Sequence, residues 1–385
     1  MPQRLNTKLI HAGEHKPRVH GAINLPIYQS VNYESAAPDT YDAITYLRLN
    51  NTPNHDVLHA KLAQLEGCET ALVTASGMAA ISAALLGNLI QGDHLLIQNC
   101  LYGGTHSLVT EDLPSWGIGH DFVDVSRPET WKALLNSGTR AFYVEAMTNP
   151  LLEVGYLDQV VGFCKEHGLL SIIDSTLATP VNFRPRELGF DLVVHSATKY
   201  LNGHSDVAAG VILGDKLRIR LIRHRLNHLG GCLDPNSCFL LHRGLKTLGL
   251  RVRQQNATAL QLAQWLEGHP AVARGNYAGL SSSPSHARAR QWFEGFGGVL
   301  SFELKGGLQA AQRRVGGVRL AVQAPSLGGV ESLITRPSTT SHAGMSAEQR
   351  QAVGISDGLI RFSVGLEDVE DLQEDLEQAL GPGQQ

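Results

Sequence analysis

Residues 169–199, LLSIIDSTLATPVNFRPRELGFDLVVHSATK, hold two short apolar runs that each stop at residues able to do chemistry. The runs at 169–173 and 192–194 have the length and β-branched content of buried strands. Asp174 follows the first; His195-Ser196-Ala197-Thr198-Lys199 follows the second. Working outward, further strands are expected at 70–74, 94–98 and 141–145. Helices are expected at 78–89, 105–113 and 157–167 between them. Such alternation predicts an α/β fold with a parallel sheet, helices on both faces, and chemistry beyond the carboxyl ends of the strands.

The flanks read differently. In residues 1–55, Gly13, Gly21, Pro26, Pro38 and Pro53 punctuate a stretch with little periodicity, which predicts an extended arm ordered by another surface. Residues 56–248 form the expected large domain. A long polar helix pattern over 243–267, strands at 299–303 and 359–364, and a helix at 369–380 predict a smaller α+β domain over 249–385. The tail 381–385 is expected to fray.

The 385 residues suffice for a large core with a smaller satellite, and 43% hydrophobic and 18% charged residues are globular values. A net charge of -4 supplies no basic face for nucleic acid or anionic membranes. The longest apolar helical stretch, 78–90, is interrupted by Ser82, Gly87 and Asn88 and is too short to span a bilayer. Residues 1–13 lack the apolar core of a secretory signal. Five scattered cysteines without a CxxC pair indicate neither a disulfide framework nor a zinc ribbon, so a cytoplasmic location is expected. His55 and His59, at i and i+4, lack a third ligand and are read as a solvated helix face; His204 is read as a loop hydrogen-bonder.

Three strand ends carry the candidate chemistry. The turn Ala75-Ser76-Gly77-Met78 opens a helix whose free amides can hold an anion. Asp174 is an acid, Lys199 an amine, and Ser196 and Thr198 are hydroxyls that could share one phosphate. A phosphate cradle, an acid to keep a pyridine nitrogen protonated and an amine to hold an aldehyde are what pyridoxal 5'-phosphate requires.

The segment Ser196-Ala-Thr-Lys-Tyr-Leu-Asn-Gly-His-Ser-Asp206 resembles the cofactor-lysine signature of the Cys/Met-metabolism pyridoxal-phosphate enzymes. So do Tyr46-Leu-Arg48, Tyr102-Gly-Gly-Thr105, Glu145-Ala-Met-Thr-Asn-Pro150, Arg243-Gly-Leu-Lys-Thr-Leu248, Ser326-Leu-Gly-Gly-Val-Glu-Ser332 and Leu359-Ile-Arg-Phe-Ser-Val-Gly-Leu-Glu-Asp368. The resemblance implies an aspartate-aminotransferase-like (fold type I) chain with a mostly parallel seven-stranded sheet. It implies that Gly77, Met78, Ser196 and Thr198 hold the phosphate, that Tyr102 stacks on the ring and exchanges protons, and that Asn149 lies beside cofactor and substrate. Arg361 and the backbone around Ser326 would hold the substrate carboxylate. Tyr46 and Arg48 would reach a neighbouring subunit's cofactor, implying a homotetramer of site-sharing dimers.

The implied activity is γ-elimination from a small sulfur amino acid. The first choice is cystathionine γ-lyase, which yields cysteine, 2-oxobutanoate and ammonia. Alternatives are cystathionine γ-synthase-type replacement on O-activated homoserine, methionine γ-lyase or a sulfhydrylase, and a non-catalytic carrier. Three departures from the family pattern stand out. Ser175 replaces a frequent asparagine and is expected to hydrogen-bond locally, and the arm turn after Arg48 reads Leu-Asn-Asn-Thr-Pro. Pro325 stands where a glutamate commonly meets cystathionine's distal amine, and Arg336 would add positive charge if it pointed inward.

Overall fold

The computed structural model describes residues 3–34 and 43–381; expectations that fall on 35–42 of the arm and on the tail beyond 381 lie outside the described residues. A first sheet is built from β1 (Thr70–Thr74), β2 (His94–Gln98), β3 (Gly119–Val123), β4 (Thr139–Glu145), β5 (Leu170–Asp174), β6 (Leu192–His195) and β7 (Gly210–Gly214). Their order is β1-β7-β6-β5-β4-β2-β3, parallel except that β7 runs against both neighbours. Side chains alternate between two cores. Val73, Phe142, Val144, Ile173 and Val193 enter one, and Leu72, Ala141, Tyr143, Ile172 and Val194 the other. The helix Gly77–Leu86 covers one face through Ile81, Ala84 and Leu85. The helix Leu157–His167 contributes Val160, Val161 and Cys164 to the other. Burial on both faces is why these strands read as unbroken apolar runs.

A second sheet joins β8 (Val272–Asn276), β9 (Val299–Leu304), β10 (Val322–Gln323), β11 (Leu333–Thr335) and β12 (Leu359–Ser363) in the order β10-β11-β12-β9-β8. All its pairs are antiparallel except β10 with β11.

Several expected elements shift. The helix expected at 78–89 spans Gly77–Leu86, and that expected at 105–113 begins as Gly103–Ser107 and continues through a wide turn at Leu108–Asp112. The pattern at 243–267 is two helices, Pro235–Leu245 and Leu248–Gly268, broken where Thr247 leaves helical backbone angles. Arg251, of the second, is buried and reaches back across that break. Its Nη2 donates to the Gly244 carbonyl (2.9 Å), Nε to the Thr247 hydroxyl (3.1 Å), and Nη1 to the Tyr200 carbonyl (2.8 Å). The cation therefore ties the residue after Lys199 to the helical joint.

His55 and His59 are buried, which corrects the solvated face. His55 bonds the Thr52 hydroxyl (2.8 Å) and the Leu233 carbonyl (2.8 Å), and His59 Nε2 accepts the Val73 N–H (3.0 Å). The helix Pro53–Glu66 that carries them is enclosed on several sides and leaves only the stripe Asp56, Ala60 and Gln64 to water. Part of the arm docks on its own chain. The buried Lys61 donates to the carbonyls of Leu9 (3.0 Å) and Ile10 (3.1 Å) at the end of the helix Leu5–His11.

Arg251→Met should lower unfolding free energy by about 3 kcal/mol, because three backbone and hydroxyl oxygens lose charged donors. Denaturant unfolding followed by circular dichroism measures it.

Candidate active site

The ends of β5 and β6 and the loops after β1, β2 and β4 converge with β12 on a cavity of about 680 Å³. Gly77, Met78, Tyr102, Asn149, Asp174, Ser196, Thr198, Lys199, Ser326 and Arg361 all line it. These residues lie at seven separate points of the chain, and folding brings them together.

On one wall the helix Gly77–Leu86 begins. The Ser76 hydroxyl caps it by accepting the Ala79 N–H (3.0 Å), while the amides of Gly77 and Met78 lie in a turn the helix cannot itself bond. A Cβ on Gly77 would lie 2.8 Å from both Cβ and Oγ of Ser196, so only glycine lets this helix start rest against the lysine-bearing turn. Thr198 Oγ1 accepts the Ala209 N–H (2.9 Å) and donates to the Ala209 carbonyl (3.1 Å), which fixes the turn.

Asp174 ends β5. Its Oδ1 accepts the Thr176 N–H (2.8 Å), and the Tyr143 hydroxyl donates to Oδ2 (3.4 Å). Burial raises its pKa, while the hydrogen bonds of Thr176 and the charge of His195 pull the other way. The Ser175 hydroxyl, expected to hydrogen-bond locally, is buried without a partner; its backbone N–H instead joins the Val194 carbonyl.

Lys199 Nζ donates to the Ser326 hydroxyl at 2.8 Å. Burial, and secondarily the charge of Arg361, lowers its pKa to about 8. Arg361 is 3% exposed. Its Nη2 donates to the Ser326 carbonyl (2.8 Å) and its Nη1 to Asn149 Oδ1 (3.1 Å), while Nε is buried without a partner. Ser326 meets both cations from a left-handed backbone with φ of 89°, a conformation held against its cost at a site of convergence.

Glu145 also lines the cavity, a residue that sequence reasoning quoted but gave no role. Its Oε1 accepts the Tyr102 N–H (2.7 Å), and burial followed by the charge of Asp174 pushes its pKa well up. Tyr102 itself is 40% exposed. Tyr46 and Arg48 are not among the lining residues of their own chain's cavity; Arg48 Nη1 donates to the Asn227 carbonyl (3.0 Å). Arg336 is likewise absent from the lining, whereas Pro325 belongs to it. Among the described residues no cluster of three His, Cys, Asp or Glu side chains could hold a metal, and no helix is long and apolar enough to cross a membrane.

The donor set fits pyridoxal phosphate: unbonded amides at a helix start, hydroxyls beside them, a half-buried acid, and an amine lowered toward its neutral form. Fold and site together define a pyridoxal-phosphate-dependent enzyme of the two-sheet α/β class. Residues 6–381 match the sequence profile described as Cys/Met metabolism PLP-dependent enzyme, and the chain belongs to that family. It is 40% identical over 379 residues to a cystathionine beta-lyase of Coxiella burnetii, covering 98% of this chain and 97% of that one. It is 40% identical over 375 residues to a cystathionine gamma-lyase of Bacillus subtilis, covering 97% and 98%. The structure superposes with a TM-score of 0.95 and 37% identity on cystathionine gamma synthase from Xanthomonas oryzae pv. oryzae, covering 99% and 98%.

With the cofactor stripped, Lys199 should acylate with a midpoint near pH 8, since its amine is neutral above its depressed pKa. Arg361→Gln should raise that midpoint by removing a like charge. Competitive acetylation read by mass spectrometry measures both.

Proposed function

We propose that the chain catalyses γ-elimination from a sulfur amino acid, with cystathionine as substrate and cysteine, 2-oxobutanoate and ammonia as products. The observation that supports this best is the convergence of Lys199 and Arg361 on Ser326, which puts an amine and a guanidinium in one cavity.

In this reading the amides of Gly77 and Met78 and the hydroxyls of Ser196 and Thr198 hold the phosphate, and Asp174 keeps the pyridine nitrogen protonated. Pyridoxal phosphate, when bound to Lys199, withdraws electron density from the substrate's α carbon. Arg361 takes the substrate α-carboxylate, helped by the Ser326 backbone and Asn149, and this fixes the α C–H toward the Lys199 amine. Nζ of Lys199, freed by the incoming substrate amine, takes the α-proton, and a second proton lost from Cβ is what lets the γ-sulfur leave. The exposed Tyr102 phenol, on the cavity wall, would pack against the cofactor and carry a proton to the departing sulfur, while Glu145 fixes its backbone.

The arm belongs to the same reading. Tyr46 and Arg48, away from their own cavity, reach a partner subunit's phosphate, so the active unit is at least a dimer and the assembly a homotetramer. The arm (1–55), cofactor domain (56–248) and carboxyl-terminal domain (249–385) divide these tasks. A cytoplasmic site of action suits the substrate and the free thiols. Replacement on an O-activated homoserine uses the same groups, and the likeness to a γ-synthase structure keeps it as the second reading.

Purified holoenzyme should release 2-oxobutanoate from cystathionine without added thiol, and Lys199→Ala should lower kcat by at least about a thousandfold. Pyruvate in its place would indicate cleavage at the β carbon. Product formed only from O-activated homoserine with added thiol would indicate replacement.

A further inference from the structure

Thr339, Thr340 and Ser341, which follow β11, form one wall of the cavity beside Pro325, and the elimination reading gives this wall no task. Its hydrogen bonds commit every hydroxyl proton it has. Thr339 and Thr340 both donate to the Arg336 carbonyl, at 3.1 and 3.0 Å. Thr340 also accepts from the Thr335 hydroxyl (3.2 Å). Ser341 Oγ lies 2.9 Å from Nδ1 of His342, and Nε2 of the same ring lies 3.0 Å from the Leu101 carbonyl. Burial lowers the pKa of His342 to about 4 and keeps the ring neutral; since the Leu101 carbonyl can only accept, the one ring proton sits on Nε2 and Nδ1 is left as an acceptor. The Ser341 hydroxyl must then donate to Nδ1, which leaves only lone pairs on its oxygen.

His342 is fully buried and bridges Ser341 to the residue before Tyr102, so this polarity is built into the packing. A Cβ on Gly103 would fall 1.9 Å from the Ser341 carbonyl oxygen, so the wall rests directly on the Tyr102 turn. Pro325, alongside, has no N–H to offer.

We propose that this wall is a specificity site for a cationic or neutral N–H donor on the distal arm of the substrate. Ser341 is its principal acceptor and His342 the positioning residue that fixes the hydroxyl proton. The inference rests on the elimination reading and deepens it: the preferred thioether carries a distal ammonium, as cystathionine does, and a substrate ending in a methyl group gains nothing here. Hydrogen bonds to a charged group separate donor from non-donor ligands by roughly tenfold or more.

The test compares cystathionine with S-(2-carboxyethyl)homocysteine, which differs only in lacking the distal ammonium. Dissociation constants come from the absorbance change of the bound cofactor on rapid mixing with holoenzyme, before turnover. Ser341→Ala should cut the preference for cystathionine about tenfold, and Ser341→Thr should restore it. A preference unchanged in Ser341→Ala, or both compounds weakened equally, overturns the inference. In 15N NMR of histidine-labelled holoenzyme, His342 should show the neutral Nε2–H ring from pH 5 to 9, and an Nδ1–H or protonated ring also overturns it. Failure to release any 2-oxo acid overturns the elimination reading instead, because the binding preference is read without turnover.

Discussion

The site depends on one buried cation. Arg361 sits on β12 of the second sheet, yet its two bonded nitrogens hold Asn149, from the loop after β4 of the first, and Ser326, which also receives Lys199. The guanidinium thus joins two sheets at the point where the amine stands. A buried charge with an unmet donor is costly, and the neighbouring groups respond to it. Lys199 is pushed toward its neutral form first by its own burial and then by this charge, while Ser326 meets both partners from a left-handed backbone. An anion delivered to Arg361 offsets this buried positive charge, so binding and electrostatic relief coincide.

Two carboxyl groups share the cavity and their surroundings separate them. Glu145 is buried and feels the charge of Asp174, which favours its protonated form. Asp174 is only half-buried; desolvation raises its pKa as well, but Thr176, His195 and Tyr143 support its charge. Unequal environments divide like groups: the carboxyl of Asp174 keeps donors around it at the end of β5, and that of Glu145 fixes the turn that carries Tyr102.

The strand ends were legible because a strand buried on both faces leaves an unbroken apolar run that must stop at the site, as at Asp174 and before Lys199. β7 was not, because it follows the lysine loop without a crossover helix and runs antiparallel. Glu145 read as the last residue of a strand, since nothing local shows that its carboxylate would accept the Tyr102 N–H. Asn149, Ser326 and Arg361 came only through family resemblance, for their meeting is a product of the seam between sheets. His55 and His59 were misread because helical spacing gives a face but not what covers it. The break at Thr247 escaped notice because Arg251, in the turn beyond it, carries the bonds that stabilise it, one of them to the sequence-distant Tyr200 carbonyl.

The seam has a wider consequence. Groups suited to anchoring a cofactor come from the first sheet, whereas the wall beside Pro325 hangs from the second. On the proposed reading, substitutions along that short loop alter which distal group is accepted while the lysine-bearing turn and the helix start at Gly77, built on the other sheet, stay as they are.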